Sequence, residues 1–214
     1  MGATADALPD PPLLIITDRR QAGQKLEHVA KAAFDAGARW ISVREKDLPW
    51  PEQAALRAKI AALAPSEAVI GLHGVPGKAC SGVAAWHLPR DGDAAETKRR
   101  VEPGILVGKS CHHGPAVEAA AKSGADYVTF SPVFTSRSKP GYGPALGLEQ
   151  LAAICRTASV PVIALGGIDT RNAADCLDAG AAGIAVMGDV MRADDPGGVI
   201  RDLLAAIGSV SNSR

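Results

Sequence analysis

The chain has 214 residues, 47% of them hydrophobic, with 23 Lys and Arg balanced by 23 Asp and Glu. That length and apolar share suffice for one sizeable core and suit a single α/β barrel domain, while the even charge offers no summed field to draw nucleic acid or an anionic membrane surface. Apolar runs such as 13–16 and 161–165 are too short to cross a bilayer and the N-terminus lacks a signal-peptide pattern, so a cytoplasmic protein is expected, one that holds anions by local geometry.

In chain order, residues 1–12 carry three prolines and are expected to form a flexible N-terminal segment. Short runs rich in Val, Ile and Leu then read as eight strands at 13–17, 40–45, 68–73, 85–88, 105–110, 127–133, 162–166 and 183–187. Ala-rich amphipathic stretches between them predict helices at 24–36, 51–63, 115–123, 148–157, 170–179 and 196–207. The phrase AGA, SGA, AGA recurs with Gly37, Gly124 and Gly180 at helix ends, each just before a strand. This alternation predicts a (βα)8 TIM barrel over 13–208, with a flexible tail at 209–214. Gly and Pro between Val75 and Ala84 make the third βα unit irregular. Cys80, Cys111, Cys155 and Cys176 show no CxxC pairing and read as reduced structural thiols.

Barrel enzymes place their chemistry at the C-terminal strand ends, where the βα loops converge. Arg44 and Lys46 alternate with Glu45, so a two-residue period sends both cations to one side. They read either as an anion site or as a rim salt-bridged to Glu45 and Asp47. After the sixth strand, Ser136, Ser138 and Lys139 put two hydroxyls beside an ammonium, a set suited to phosphate oxygens. Gly166 and Gly167, followed by an Asp-Thr helix start, let backbone amides approach a phosphate, and Gly188 offers a second wall. His112 and His113 are adjacent and would diverge on a strand, so a shared metal is disfavoured and a loop histidine near the mouth is expected. His87 reads as a strand residue satisfied by its neighbours. Asp91 and Asp93 are the candidate ligands for a hard cation, although Asp-Gly-Asp is more often a turn.

IITD at 15–18, REKD at 44–47, WHL at 86–88, GKS at 108–110, SPVF at 131–134, ALGGI at 164–168 and AGIAVM at 182–187 together resemble the thiamine phosphate synthase and TenI family over nearly the whole chain. The resemblance implies an enzyme of thiamine biosynthesis, a transferase that joins hydroxymethylpyrimidine diphosphate to a thiazole phosphate with release of pyrophosphate. It implies that Arg44, Lys46, Ser136, Ser138 and Lys139 face the pyrophosphate, Ser110 the pyrimidine and leaving group, and Gly166, Gly167 and Gly188 the thiazole phosphate. It also implies Mg2+ for a synthase and self-association. Yet Leu72-His73 stands where an Asn-Asp pair is usual, Gly92 where a second metal-binding Asp is usual, and Ser42 where a Gln is usual. Two alternatives therefore stay open: a metal-free TenI-like thiazole tautomerase, and a non-catalytic phosphate-ligand binder or regulator. The tautomerase histidine expected after the sixth strand is replaced by Pro132, leaving His73 or His112 for proton transfer.

Overall fold

A computed structural model describes residues 8–77, 82–136, 138 and 144–211. Parallel strands β1 (Leu13–Ile16), β2 (Trp40–Val43), β3 (Val69–His73), β4 (Ala85–Leu88), β5 (Leu106–Cys111), β6 (Tyr127–Phe130), β7 (Val162–Leu165) and β8 (Gly183–Val186) close into a barrel in sequence order. The last strand pairs back onto the first through Leu14 and Ala185. Around them run α1 (Leu26–Asp35), α2 (Trp50–Ala61), α3 (Ala94–Arg100), α4 (Gly114–Lys122), α5 (Gly147–Thr157), α6 (Ala173–Asp178), the single turn α7 (Gly188–Met191) and α8 (Pro196–Ser211). This is the predicted (βα)8 barrel. Between β3 and β4 no helix occurs among the described residues, where Gly and Pro made the unit irregular.

The strands are apolar on both faces because each face is covered. Outward residues such as Leu13, Ile41, Leu72, Val128 and Ile184 pack with the helices, whereas Leu14, Ile16, Trp40, Tyr127, Ile163 and Ala185 form a second cluster inside the barrel. Trp40 and Tyr127 meet edge to face at 4.9 Å near the N-terminal ends of their strands. Such fully buried rings contribute roughly 1.5–3 kcal/mol each. Gly108 lies opposite Tyr127 in the ladder, and a Cβ there would fall on the phenol ring. The spacing role of that glycine sets what sits above it.

Several boundaries differ from expectation for local reasons. Strands β1, β2 and β7 stop before Thr17, Arg44 and Gly166, which belong to the loops. β6 ends at Phe130 rather than 133, since Pro132 has no N–H to continue a ladder. Helix α3 was absent from the predicted elements; Asp93 nucleates it, its Oδ1 accepting the Glu96 N–H at 3.0 Å. α6 begins at Ala173 instead of 170, because Asn172 Oδ1 accepts the Asp169 N–H at 2.9 Å and shapes a turn first. α8 continues past 207 to Ser211. The AGA, SGA, AGA ends share one bond pattern, with Gly37 to Phe34 and Ala38 to Ala33 repeated at Gly124 and Gly180.

Candidate anion-binding site

The C-terminal strand ends enclose a cavity of about 1010 Å3. Its lining includes Arg44 and Lys46 beyond β2, His73 on β3, Asp91 beyond β4, Ser110 on β5 and His112 just after it. Opposite them in the barrel order come Ser136 and Ser138 after β6, Gly166 and Gly167 after β7, and Gly188 after β8. Candidate residues widely separated in sequence thus share one chamber. Lys139 lies outside the described residues.

The cationic wall is built by the residue between its two cations. Glu45 turns away from Arg44 and Lys46 and is buried, its Oε1 accepting the Thr17 hydroxyl at 2.6 Å and its two oxygens the Arg19 N–H at 3.2 and 3.0 Å. Thr17 Oγ1 in turn accepts the Arg44 N–H at 2.9 Å, so one carboxylate fixes the backbone that presents Arg44. Burial pushes the Glu45 carboxyl up, against the pull of those hydrogen bonds. Asp47 pairs with Arg19 and Arg20 at 2.7 and 3.0 Å, leaving Arg44 and Lys46 without a carboxylate ion pair among the described residues. The salt-bridged rim is therefore made by other arginines. Desolvation first, then the Arg44 charge, holds Lys46 below the usual lysine range, with Asp91 pulling the other way.

Beneath this wall, buried His87 links two strands. Its Nδ1 lies 3.1 Å from the Tyr127 hydroxyl, and its Nε2 lies 3.0 Å from Ser110 Oγ and 3.2 Å from Thr129 Oγ1. Burial, then Arg44, pushes the imidazole down to about 3, so it is neutral and carries one N–H. Burial also raises the Tyr127 phenol, which keeps its proton. Among the described residues, that hydroxyl reaches no acceptor other than Nδ1, so Nε2 is the donor toward Ser110. Ser110, nearer than Thr129 to that single N–H, accepts there, and its own proton is not used on His87. The His73 ring lies against His87 at 4.9 Å between centroids, tilted by 36°.

The second wall is backbone. Gly167 has φ of +66°, and a Cβ there would strike the Thr135 carbonyl and Phe134. The Gly166 carbonyl accepts the Phe134 N–H at 2.9 Å and the Gly167 carbonyl accepts Asn172 Nδ2 at 3.0 Å. With both carbonyls engaged by the protein, amides are the polar groups this turn offers a ligand. The turn, and not the delayed start of α6, forms the wall. His112 Nδ1 lies 2.7 Å from the Ser131 carbonyl and must donate to it, which makes Nε2 the basic nitrogen of the neutral ring. His113 instead caps α4, accepting the Ala116 N–H at 3.3 Å.

The sequence profile of the thiamine monophosphate synthase family matches residues 13–190. The chain belongs to that family. It is 37% identical over 204 residues to the thiamine-phosphate synthase of Roseiflexus sp., covering 94% of this chain and 86% of that one. It is 33% identical over 195 residues to the Methanoculleus marisnigri thiamine-phosphate synthase, covering 89% and 92%. A thiamine phosphate pyrophosphorylase structure from Pyrococcus furiosus superposes with a TM-score of 0.83 at 27% identity, covering 96% of this chain and 98% of that one.

Leu72 faces outward and is fully buried, so β3 presents His73 to the mouth, a softer donor than a carboxylate. At Gly92 a Cβ would come within 2.9 Å of Leu88 Cβ, so an aspartate does not fit without a shift. Asp93 is occupied as the cap of α3 and Asp91 is exposed, electrostatically coupled to Lys46. No group of three or more His, Cys, Asp or Glu side chains suited to a metal occurs among the described residues. These residues do not fit a dedicated Mg2+ site.

Sequence reading missed Glu45 as organiser of the Arg44 backbone, the Ser110 contact of His87, and Asn172. Glu45 was legible only as a charge between charges; its Thr17 partner lies in the loop after β1, where the two-residue strand period no longer says which side chains meet.

Proposed function

We propose that this chain is a thiamine phosphate synthase. The bond between the pyrimidine methylene carbon and the diphosphate oxygen breaks, the electron pair leaves with pyrophosphate, and the thiazole nitrogen forms the new C–N bond. Pyrophosphate release is assigned to Arg44, Lys46 and the Ser136 hydroxyl, with Lys139 added from sequence, whereas Ser138, expected beside them, gives its proton to Gln21 Oε1 at 2.9 Å. Ser110 donates its retained proton to the pyrimidine or its leaving group, and the Gly166, Gly167 and Gly188 wall holds the thiazole phosphate. The cavity sets the reacting atoms against each other and excludes water. The observation that carries this reading is one chamber lined on one side by two cations that make no carboxylate ion pair among the described residues and on the other by the glycine turn. We include in the proposal a cytoplasmic setting, phosphorylated small-molecule substrates and self-association.

The experiment is direct: supply both phosphorylated substrates to the purified protein, with and without Mg2+, and quantify thiamine phosphate and pyrophosphate. Stoichiometric formation of both supports the synthase; neither product under either condition rejects it. His112, whose Nδ1–H is fixed on the Ser131 carbonyl, favours a second reading in which Nε2 moves a proton on a thiazole carboxylate phosphate. Metal-free thiazole isomerisation that is lost in His112→Gln would select that tautomerase reading.

A further inference from the structure

The mouth of the cavity carries a cation that the sequence motifs did not single out. Arg192 follows α7 and lines the chamber, yet it lacks a carboxylate ion pair among the described residues. Its hydrogen-bond partners are neutral: Nη1 donates to Gln21 Oε1 and, at 3.2 Å, to Ser138 Oγ. Ser138 Oγ also donates to Gln21 Oε1 at 2.9 Å, and Gln21 Nε2 is tethered to Asp18 Oδ2 at 2.7 Å. The loops after β1, β6 and β8 are therefore joined at a single amide oxygen.

The position of this guanidinium is fixed relative to the glycine wall. A Cβ built on Gly188 would collide with both terminal Arg192 nitrogens and with Ser138 Oγ. Gly188 is thus bare where the guanidinium and the hydroxyl close over it, beside the wall that Gly167 continues. A guanidinium has five N–H donors in a fixed fork, and only two donations are accounted for by Gln21 and Ser138. An anion in the chamber with two oxygens set against the Nε and Nη2 edge of the guanidinium would satisfy the rest bidentately.

We propose that Arg192 is a phosphate-binding residue that completes the thiazole-phosphate cup, with Gln21 and Ser138 holding the guanidinium in position. The inference rests on the synthase reading for the identity of the ligand but not for the phosphate. It makes Arg192 a determinant of specificity: the residue distinguishes a thiazole phosphate from the thiazole alcohol.

Calorimetric titration of the wild-type chain, Arg192→Ala and Arg192→Lys with the thiazole phosphate, the thiazole alcohol and inorganic phosphate tests this. Arg192→Ala should weaken the phosphate ester about tenfold or more and the alcohol less than about twofold, with Arg192→Lys in between. Because the side chain is exposed, the variant should melt with the wild type. Equal loss for ester and alcohol, or no loss for the ester, overturns the proposal. If the wild type binds neither thiazole ligand, the synthase reading falls. In that case the inorganic phosphate arm decides: a loss of about tenfold in Arg192→Ala supports the assignment, and unchanged affinity or no wild-type binding contradicts it.

Discussion

The two walls of the cavity are made from different materials. On the β7 and β8 side, glycines expose backbone amides, and the side chain proposed to join them at the phosphate, Arg192, is itself held by Gln21 and Ser138. On the β2 to β5 side, the polar groups are side chains, and each is positioned by a partner beneath or behind it: Arg44 through Thr17 and Glu45, Ser110 through His87. The backbone wall is intolerant of any added atom. The side-chain wall tolerates changes at the loop tips but depends on its buried supports. The two walls stand on different elements of the barrel, which is why they can be separated experimentally.

The largest effect is expected at Gly167→Ala. The left-handed φ of +66° and the crowding by Phe134 and Thr135 oppose any Cβ. A stability loss of about 2–3 kcal/mol by denaturant unfolding, together with a fall of about a hundredfold in thiazole phosphate affinity, is the predicted outcome. Next come Arg44→Ala and Lys46→Ala, each expected to cost about a hundredfold in kcat/KM, or roughly 2.7 kcal/mol, with KM for the thiazole phosphate nearly unchanged. Lys139→Ala should cost well over roughly tenfold in turnover. A rise in thiazole phosphate KM matching the loss in turnover would show that the walls are not separate.

Ser110→Ala and His87→Leu should each lower kcat/KM by about tenfold, the latter through loss of the donor to Ser110. His87 also sets a pH signature. Its folded value of about 3 lies below an unfolded value near 6.5, so its neutral form supports the fold fully above about pH 6.5. As pH falls from there toward about 3, the unfolded chain takes up a proton that the folded chain refuses, and stability declines. Denaturant unfolding at stepped pH should show a contribution of at most about 1.4 kcal/mol per pH unit, absent in His87→Leu. An identical pH profile in both proteins would remove His87 from this role.

The contrast between the walls also marks what the sequence disclosed. All eight strands were legible, because closed-barrel strands are apolar on both faces and stand out as short branched runs. Strand ends ran too long at Thr17, Glu45 and Gly166, since periodicity does not show where ladder bonding stops. Gly166, Gly167 and Gly188 were legible as glycines at strand ends, and all three line the chamber. Asp93 was misleading: Asp-Gly-Asp offered a cation site, yet Glu96 three residues later was the capping signal that started α3. Arg192 and Gln21 carried no local pattern at all. They meet only because barrel closure brings the loop after β8 beside the loop after β1.

The account depends most on two anion subsites coexisting in one chamber, and titration of pyrophosphate into protein already saturated with thiazole phosphate tests it most directly. The prediction is that pyrophosphate still binds, with an affinity within about threefold of that for the free protein, and that Lys46→Ala weakens this step alone. Displacement of one ligand by the other, with apparent affinities that shift in proportion to the competitor, would contradict the separation of the two walls.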